Sequence, residues 1–179
     1  ADKMVAAASL KKGDLVLEIG PGTGVLTEGL LRAGARVVAL EADARMIAVL
    51  NESFLAAISS GQLALRHADV RDTDMASVIP KDTAYSIVAN IPYYLSGQLL
   101  RGSLGAAHQP ERIVFLVQKE VAERITQHGQ KKEKESLLSL SVKAYGTPRY
   151  IATVTRGNFA PAPKVDSAIL AIDDISRAR

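Results

Sequence analysis

The 179-residue sequence contains no cysteine, and that absence removes disulfides, thiolate metal sites and thiol nucleophiles together. Its three histidines, His67, His108 and His128, are scattered without metal-ligand spacing, so no metal is expected. No apolar run reaches the roughly 18 residues that a membrane-spanning helix needs, so a soluble chain is expected. There is no internal repeat and no low-complexity linker, which points to one domain over residues 1–179. The sequence begins without an initiator methionine, so the lack of a visible signal peptide carries no information. The chain opens on Ala1 inside a segment with Met4, Val5 and Ala8 on one helical face, and it stops at Arg179 soon after a strand. The expectation is a chain cut at both ends.

What is present is the composition of a globular protein, 47% apolar and 23% charged. The net charge of +3 permits a polyanionic partner without arguing for one. Apolar strand runs alternate with segments of helical period, the pattern of a parallel sheet built from βαβ units. Strands are predicted at Leu15–Ile19, Arg36–Glu41, Leu63–His67, Tyr85–Ala89, Ile113–Val117, Tyr150–Thr155 and Ser167–Ile172. Helices are predicted near Thr23–Ala33, Ala44–Ala57, Ser96–Ala107, Lys119–Gln127 and Ser136–Ala144. A Pro-rich loop joins the last two strands without a helix, so they should pair as an antiparallel hairpin. The charged run Gln130–Glu135 is a solvated loop or frayed helix start on one reading, and a loop touching a phosphate backbone on another.

The first strand runs into Leu17-Glu-Ile-Gly-Pro-Gly-Thr-Gly24, followed by a helix. Gly20, Gly22 and Gly24 permit a tight turn and bring bare backbone to the carboxyl edge of the sheet. The dinucleotide fingerprint would need a further glycine at 25, where Val25 stands, so a nucleoside bearing an amino acid fits better than a pyrophosphate. Glu18, just before the loop, suits a ligand carrying a sulfonium and an ammonium. Glu41 ends the second strand, 17 residues after Gly24, where an acid can bind vicinal ribose hydroxyls. After the third strand, Asp69 can accept from an adenine amino group while the Val70 amide serves a ring nitrogen. Each motif alone reads equally as an ordinary turn or strand end, but three successive strand ends converge on one crevice. The ligand that this pattern describes is S-adenosylmethionine.

The fourth strand ends in Asn90-Ile-Pro-Tyr-Tyr94. An aromatic amine is a poor nucleophile because its lone pair is delocalised into the ring. A site that accepts both N–H bonds frees that lone pair, and the Asn90 side-chain oxygen and Ile91 carbonyl are two such acceptors. Pro92 stiffens the turn, and Tyr93 offers a ring face for an unpaired base. The alternative is a strand-end turn with Tyr93 and Tyr94 packed in a core.

These segments, with Gln118-Lys-Glu-Val121 and Phe159-Ala-Pro-Ala-Pro-Lys-Val-Asp-Ser-Ala168, resemble the small-subunit ribosomal RNA adenine dimethyltransferases, the kasugamycin-resistance dimethylase family. The resemblance covers nearly the whole chain. It implies a Rossmann-like class I fold, a mostly parallel seven-stranded sheet ending in an antiparallel hairpin. It implies that Glu41 and Asp69 hold the ribose and adenine of S-adenosylmethionine, and that Asn90, Tyr93 and Phe159 hold the target adenine. Two methyl groups would go to one nitrogen, on adenines of a hairpin loop in small-subunit RNA, by a cytoplasmic monomer. Phe159 opens a loop stiffened by Pro161 and Pro163, suited to presenting an aromatic to an extruded base, although a core role is also open to it. Lys164 can meet a phosphate or stay solvated. The family usually carries a Gly-Gln-Asn/His-Phe-Leu segment ahead of the position of Ala1 and a helical domain after the last strand. The expectation is a catalytic domain without either. The alternatives are the relatives that dimethylate large-subunit RNA, a non-catalytic RNA- or DNA-binding relative, and a DNA adenine methyltransferase.

Overall fold

A computed structural model describes residues 1–129, 136–159 and 163–177. The charged run Gln130–Glu135 and the loop residues Ala160, Pro161 and Ala162 lie outside them. Seven strands form one sheet: β1 (Leu15–Ile19), β2 (Arg36–Glu41), β3 (Leu63–His67), β4 (Tyr85–Asn90), β5 (Arg112–Gln118), β6 (Thr147–Val154) and β7 (Ser167–Asp173). Their order across the sheet is β3-β2-β1-β4-β5-β7-β6. The first five are parallel, while β7 runs antiparallel to both β5 and β6. The predicted class and the terminal hairpin are therefore what the chain adopts.

Central strands carry apolar residues at almost every position because helices cover both of their faces. All residues of β1 and β7 are buried, whereas the edge strands β3 and β6 are partly exposed. On one face, α1 (Asp2–Ala8) and α2 (Val25–Arg32) bury Met4, Leu26 and Leu30 against Val16, Val37 and Val114. On the other, α6 (Tyr93–Gly105), α7 (Lys119–Thr126) and α8 (Leu137–Tyr145) bury Leu99, Leu100, Ile125 and Val142 against Leu17, Ile87 and Phe115.

Several elements differ from the sequence expectation, among them β6, which starts at Thr147 instead of Tyr150. The segment predicted as one helix divides at Phe54 into α3 (Ala44–Ser53) and α4 (Leu55–Ser59). A short helix, α5 (Met75–Val78), stands between β3 and β4 where none is predicted. The helix expected to begin at Ser96 begins at Tyr93, because Pro92 at its N-cap needs no amide bond and presets the first turn. The last difference places an aromatic side chain of the Asn90–Tyr94 segment on a helix start instead of a loose loop.

Candidate active site

Parallel strands release their last residues along one edge of the sheet. Ile19 pairs with both Leu40 and Ala89, Glu41 with His67, and Asn90 with Leu116, so these strand ends lie side by side. The chain leaves β1 toward β2 on one side and returns to β4 on the other, which opens a crevice between the diverging connections. A cavity of about 380 Å³ occupies that edge, lined in part by Gly20, Glu41, Asp69, Val70, Arg71, Asn90 and Tyr94. Its volume falls in the range of small-molecule sites.

The glycine loop divides its work. Gly20 adopts a φ of 67° and lines the cavity, and a Cβ there would stand 3.9 Å from the Asn90 carbonyl. Gly22 donates its amide to Glu41 Oε2 at 3.0 Å. Gly24, expected at the ligand, is instead a packing glycine. Its φ is 88°, and a Cβ would stand 2.3 Å from the ring of Phe54.

Two acids expected at the ligand also separate. Glu41 is 8% exposed, and its Oε1 accepts the Asp43 amide at 2.9 Å. Each oxygen keeps a second lone pair for hydroxyl donors on the cavity side. Glu18 is fully buried and does not line the cavity. Adjacent residues of a strand face opposite sides of the sheet. Glu18 accordingly lies under α2, its Oε2 accepting from the Thr27 hydroxyl at 2.8 Å. Its Oε1 has no hydrogen-bond partner among the described residues. Burial pushes its carboxyl up to about 7, the Thr27 bond opposes that, and the charge of Glu41 adds to it. Direct contact with a ligand is therefore corrected to an indirect place beneath the loop.

Asp69 and Val70 reach the cavity as expected from their position after β3. Asp69 is held by Arg71, whose Nε lies 3.0 Å from both carboxylate oxygens. That bond holds the carboxyl down at about 2.

Asn90 is the hinge of the arrangement. It lines the 380 Å³ cavity and two more beyond it, of about 420 and 270 Å³. The smaller of these is lined by Asn90, Ile91, Pro92, Tyr93, Leu116, Phe159 and Pro163. The larger includes Asn90, Thr153, Asn158 and Phe159. Tyr93 is half-buried, with its hydroxyl 2.7 Å from Ser167 Oγ at the start of β7. Phe159 is half-buried against the cluster that holds Val88, Leu116 and Ile169. Motif reading missed Arg71 and Asn158, and Ser167 as the anchor of Tyr93. Tyr94, for which a core place was open, is 75% exposed and lines the first cavity. Lys164 is exposed, beside Arg156 and Lys119 at a further cavity.

This sheet order, with a glycine loop after β1 and a ligand cavity at the strand ends, is the fold of class I S-adenosylmethionine-dependent methyltransferases. Residues 1–178 match the family described as ribosomal RNA adenine dimethylase, and the chain belongs to that family. It is 42% identical over 171 residues to ribosomal RNA small subunit methyltransferase A of Dehalococcoides mccartyi, covering 96% of this chain but 57% of that protein. A dimethyladenosine transferase from Plasmodium falciparum has the same fold with a TM-score of 0.81 and 34% identity, over 96% of this chain and 60% of its own. The 23S rRNA methyltransferase ErmE follows with a TM-score of 0.82 and 27% identity, over 98% of this chain and 67% of its own. The chain thus spans little more than half the length of the D. mccartyi relative.

Proposed function

We propose that residues 1–179 form the single catalytic domain of an enzyme that dimethylates the N6 amino group of adenines in small-subunit ribosomal RNA. The observation that carries this reading is the position of Asn90, shared by the crevice at the parallel strand ends and by both cavities toward Phe159. A methyl donor on one side and an amino acceptor on the other would meet there. The small-subunit RNA is favoured by the 42% identity to a small-subunit enzyme against 27% to the 23S enzyme.

The residues of the crevice fit S-adenosylmethionine. Glu41 presents an ionisable acceptor to ribose hydroxyls, Asp69 and the Val70 amide suit an adenine edge, and bare Gly20 permits close approach. When bound, the cofactor supplies an electrophilic methyl group on a sulfonium. Asn90 and the Ile91 carbonyl accept the two N–H bonds of the target amine, which pyramidalises the nitrogen and uncouples its lone pair from the ring. Tyr93, braced by Ser167, and Phe159 hold the base by its faces. Positioning and electrostatics do most of the work. Methylation makes the nitrogen's own proton acidic, so it leaves to water without a strong base. The second methyl transfer repeats the first with one N–H bond fewer to hold. The enzyme would act as a cytoplasmic monomer; no helix among the described residues is long and apolar enough to cross a membrane.

The test is a titration with S-adenosylmethionine, followed by incubation with unmethylated small ribosomal subunits and mass analysis of the digested RNA. Binding and N6,N6-dimethyladenosine are expected. Binding with modification of large-subunit RNA alone would favour the alternative target, and binding with no transfer a non-catalytic relative.

A further inference from the structure

Arg71 is the one charged side chain lining the crevice that neither the motifs nor the proposed chemistry uses, and it is bonded to Asp69 in the same fork that joins Arg45 to Asp43 outside the crevice. The Arg71 backbone amide donates to Asp69 Oδ1 at 2.9 Å, its Nε lies 3.0 Å from both oxygens, and its Nη2 lies 2.5 Å from Oδ2. A side chain two residues along has folded back to grip one carboxylate in a two-toothed arrangement. The pair is not buried, since the Arg71 side chain is 54% and the Asp69 side chain 24% exposed. An exposed ion pair contributes little to stability and costs rotamer freedom. Folding energy therefore gives no strong reason for the arrangement. Both residues line the same crevice, with Val70 between them and Tyr94 across it.

We propose that Arg71 is a positioning residue that makes Asp69 selective for a 6-amino purine over a 6-oxo purine. The inference rests on the reading of the crevice as an S-adenosylmethionine site. A carboxylate has two oxygens with about four lone-pair positions. Arg71 sends three N–H donors to it, the amide to Oδ1, Nη2 to Oδ2 and Nε shared between the two, which leaves about one position open. The carboxylate can no longer rotate about its own bond, and what it still offers is acceptor capacity. An exocyclic amino group satisfies that capacity. A carbonyl at the same place would face a like partial charge. An ungripped aspartate can turn away from such a carbonyl or take up a proton and donate to it. The guanidinium closes both routes, and it holds the carboxyl in its ionised form.

Equilibrium titration with S-adenosylhomocysteine and with its deaminated analogue S-inosylhomocysteine tests this on the whole chain. The wild type should prefer the adenosyl compound. Arg71→Ala should shrink the ratio of the two affinities roughly tenfold, the effect of loosening one charge-assisted hydrogen bond. Arg71→Lys, which keeps the charge but not the fork, should restore it only in part. Asp69→Asn should shrink the ratio at least as far, and adding Arg71→Ala to Asp69→Asn should change it no further. A purely structural role would instead lower both affinities together and leave the ratio intact. An unchanged ratio in Arg71→Ala, with a reduced ratio in Asp69→Asn, overturns the role of Arg71 and leaves the cofactor site standing. An unchanged ratio in both overturns recognition of the purine through Asp69. A wild type that binds neither compound overturns the cofactor reading, and the inference with it.

Discussion

On one side of Asn90 the wall is made of parallel strand ends, and on the other of a helix start and an antiparallel hairpin. The crevice residues Gly20, Glu41 and Asp69 sit at or just past the ends of β1, β2 and β3, where Gly20 donates its amide to the Leu40 carbonyl and Glu41 pairs with His67. The cavities beyond draw Tyr93 from the first turn of α6, Leu116 from β5 and Phe159 from the connection between β6 and β7. The first wall is one parallel ladder, with β1 and β2 paired on both sides and the edge strand β3 on one. The second depends on a few bonds between distant segments, such as Tyr93 to Ser167, 74 residues apart. The chemistry proposed here gives the strand-end wall to the cofactor and the composite wall to the base.

Asn90 belongs to both walls, so its replacement should have the largest effect and divide them. Asn90→Ala should lower kcat by roughly 10²–10³-fold, comparable to losing one preorganised polar group around a reacting centre. Cofactor affinity by calorimetry should hold. Loss of both would make Asn90 a structural residue and break the comparison.

Gly24 tests whether the glycine loop is as divided as it looks. Gly24→Ala places a Cβ 2.3 Å from Phe54 on a backbone with φ of 88°. It should destabilise the fold by about 2–4 kcal/mol, from overpacking and left-handed strain. Urea unfolding measures it. A stability near wild type would return Gly24 to the ligand side.

Glu18 sharpens the contrast between a buried acid and a lining one. Its folded pKa of about 7 lies above the ordinary 4.5, so the folded chain binds more protons than the unfolded one between those values. Stability should therefore be highest below about pH 4.5 and fall as pH rises toward 7, by on the order of 3 kcal/mol. Asp43 and Asp69, held at about 2, act in the opposite sense and only below pH 4. Glu18→Gln should flatten the decline when unfolding midpoints at pH 5 and pH 8 are compared. A decline that survives the substitution must come from other groups.

Tyr93→Phe should give the smallest change. It removes the bond to Ser167 and keeps the ring, costing about 0.5–1.5 kcal/mol of stability. KM for RNA should rise a few-fold with cofactor affinity unchanged. An altered cofactor affinity would show that the two walls are not independent.

The first wall was legible because local pattern and position coincide. Glycines after an apolar strand, and acids at the ends of the next two, carry their meaning within a few residues of chain. The expected strands β1 to β3 match to the residue for that reason. The second wall was legible only through the Asn90–Tyr93 motif and the resemblance carried by Phe159–Ala168. Nothing near Phe159 in the sequence says that it will meet Asn90.

The sequence by itself determined the class of fold, the sheet edge that holds the site and several of its polar residues, Glu41, Asp69 and Asn90 among them. Strand periodicity, turn glycines and the proline after Ile91 are local properties of the chain. Tertiary structure alone decided which candidates line the crevice. Glu18 and Glu41 are both strand acids at the same edge, yet one is sealed under α2 and the other lines the crevice. Gly20 and Gly24 lie in one motif, yet one lines the cavity and the other makes room for Phe54. Arg71 became part of the site by folding back onto Asp69. These outcomes depend on how near the end of its strand a residue sits and on what packs against it, and a linear pattern does not encode the packing.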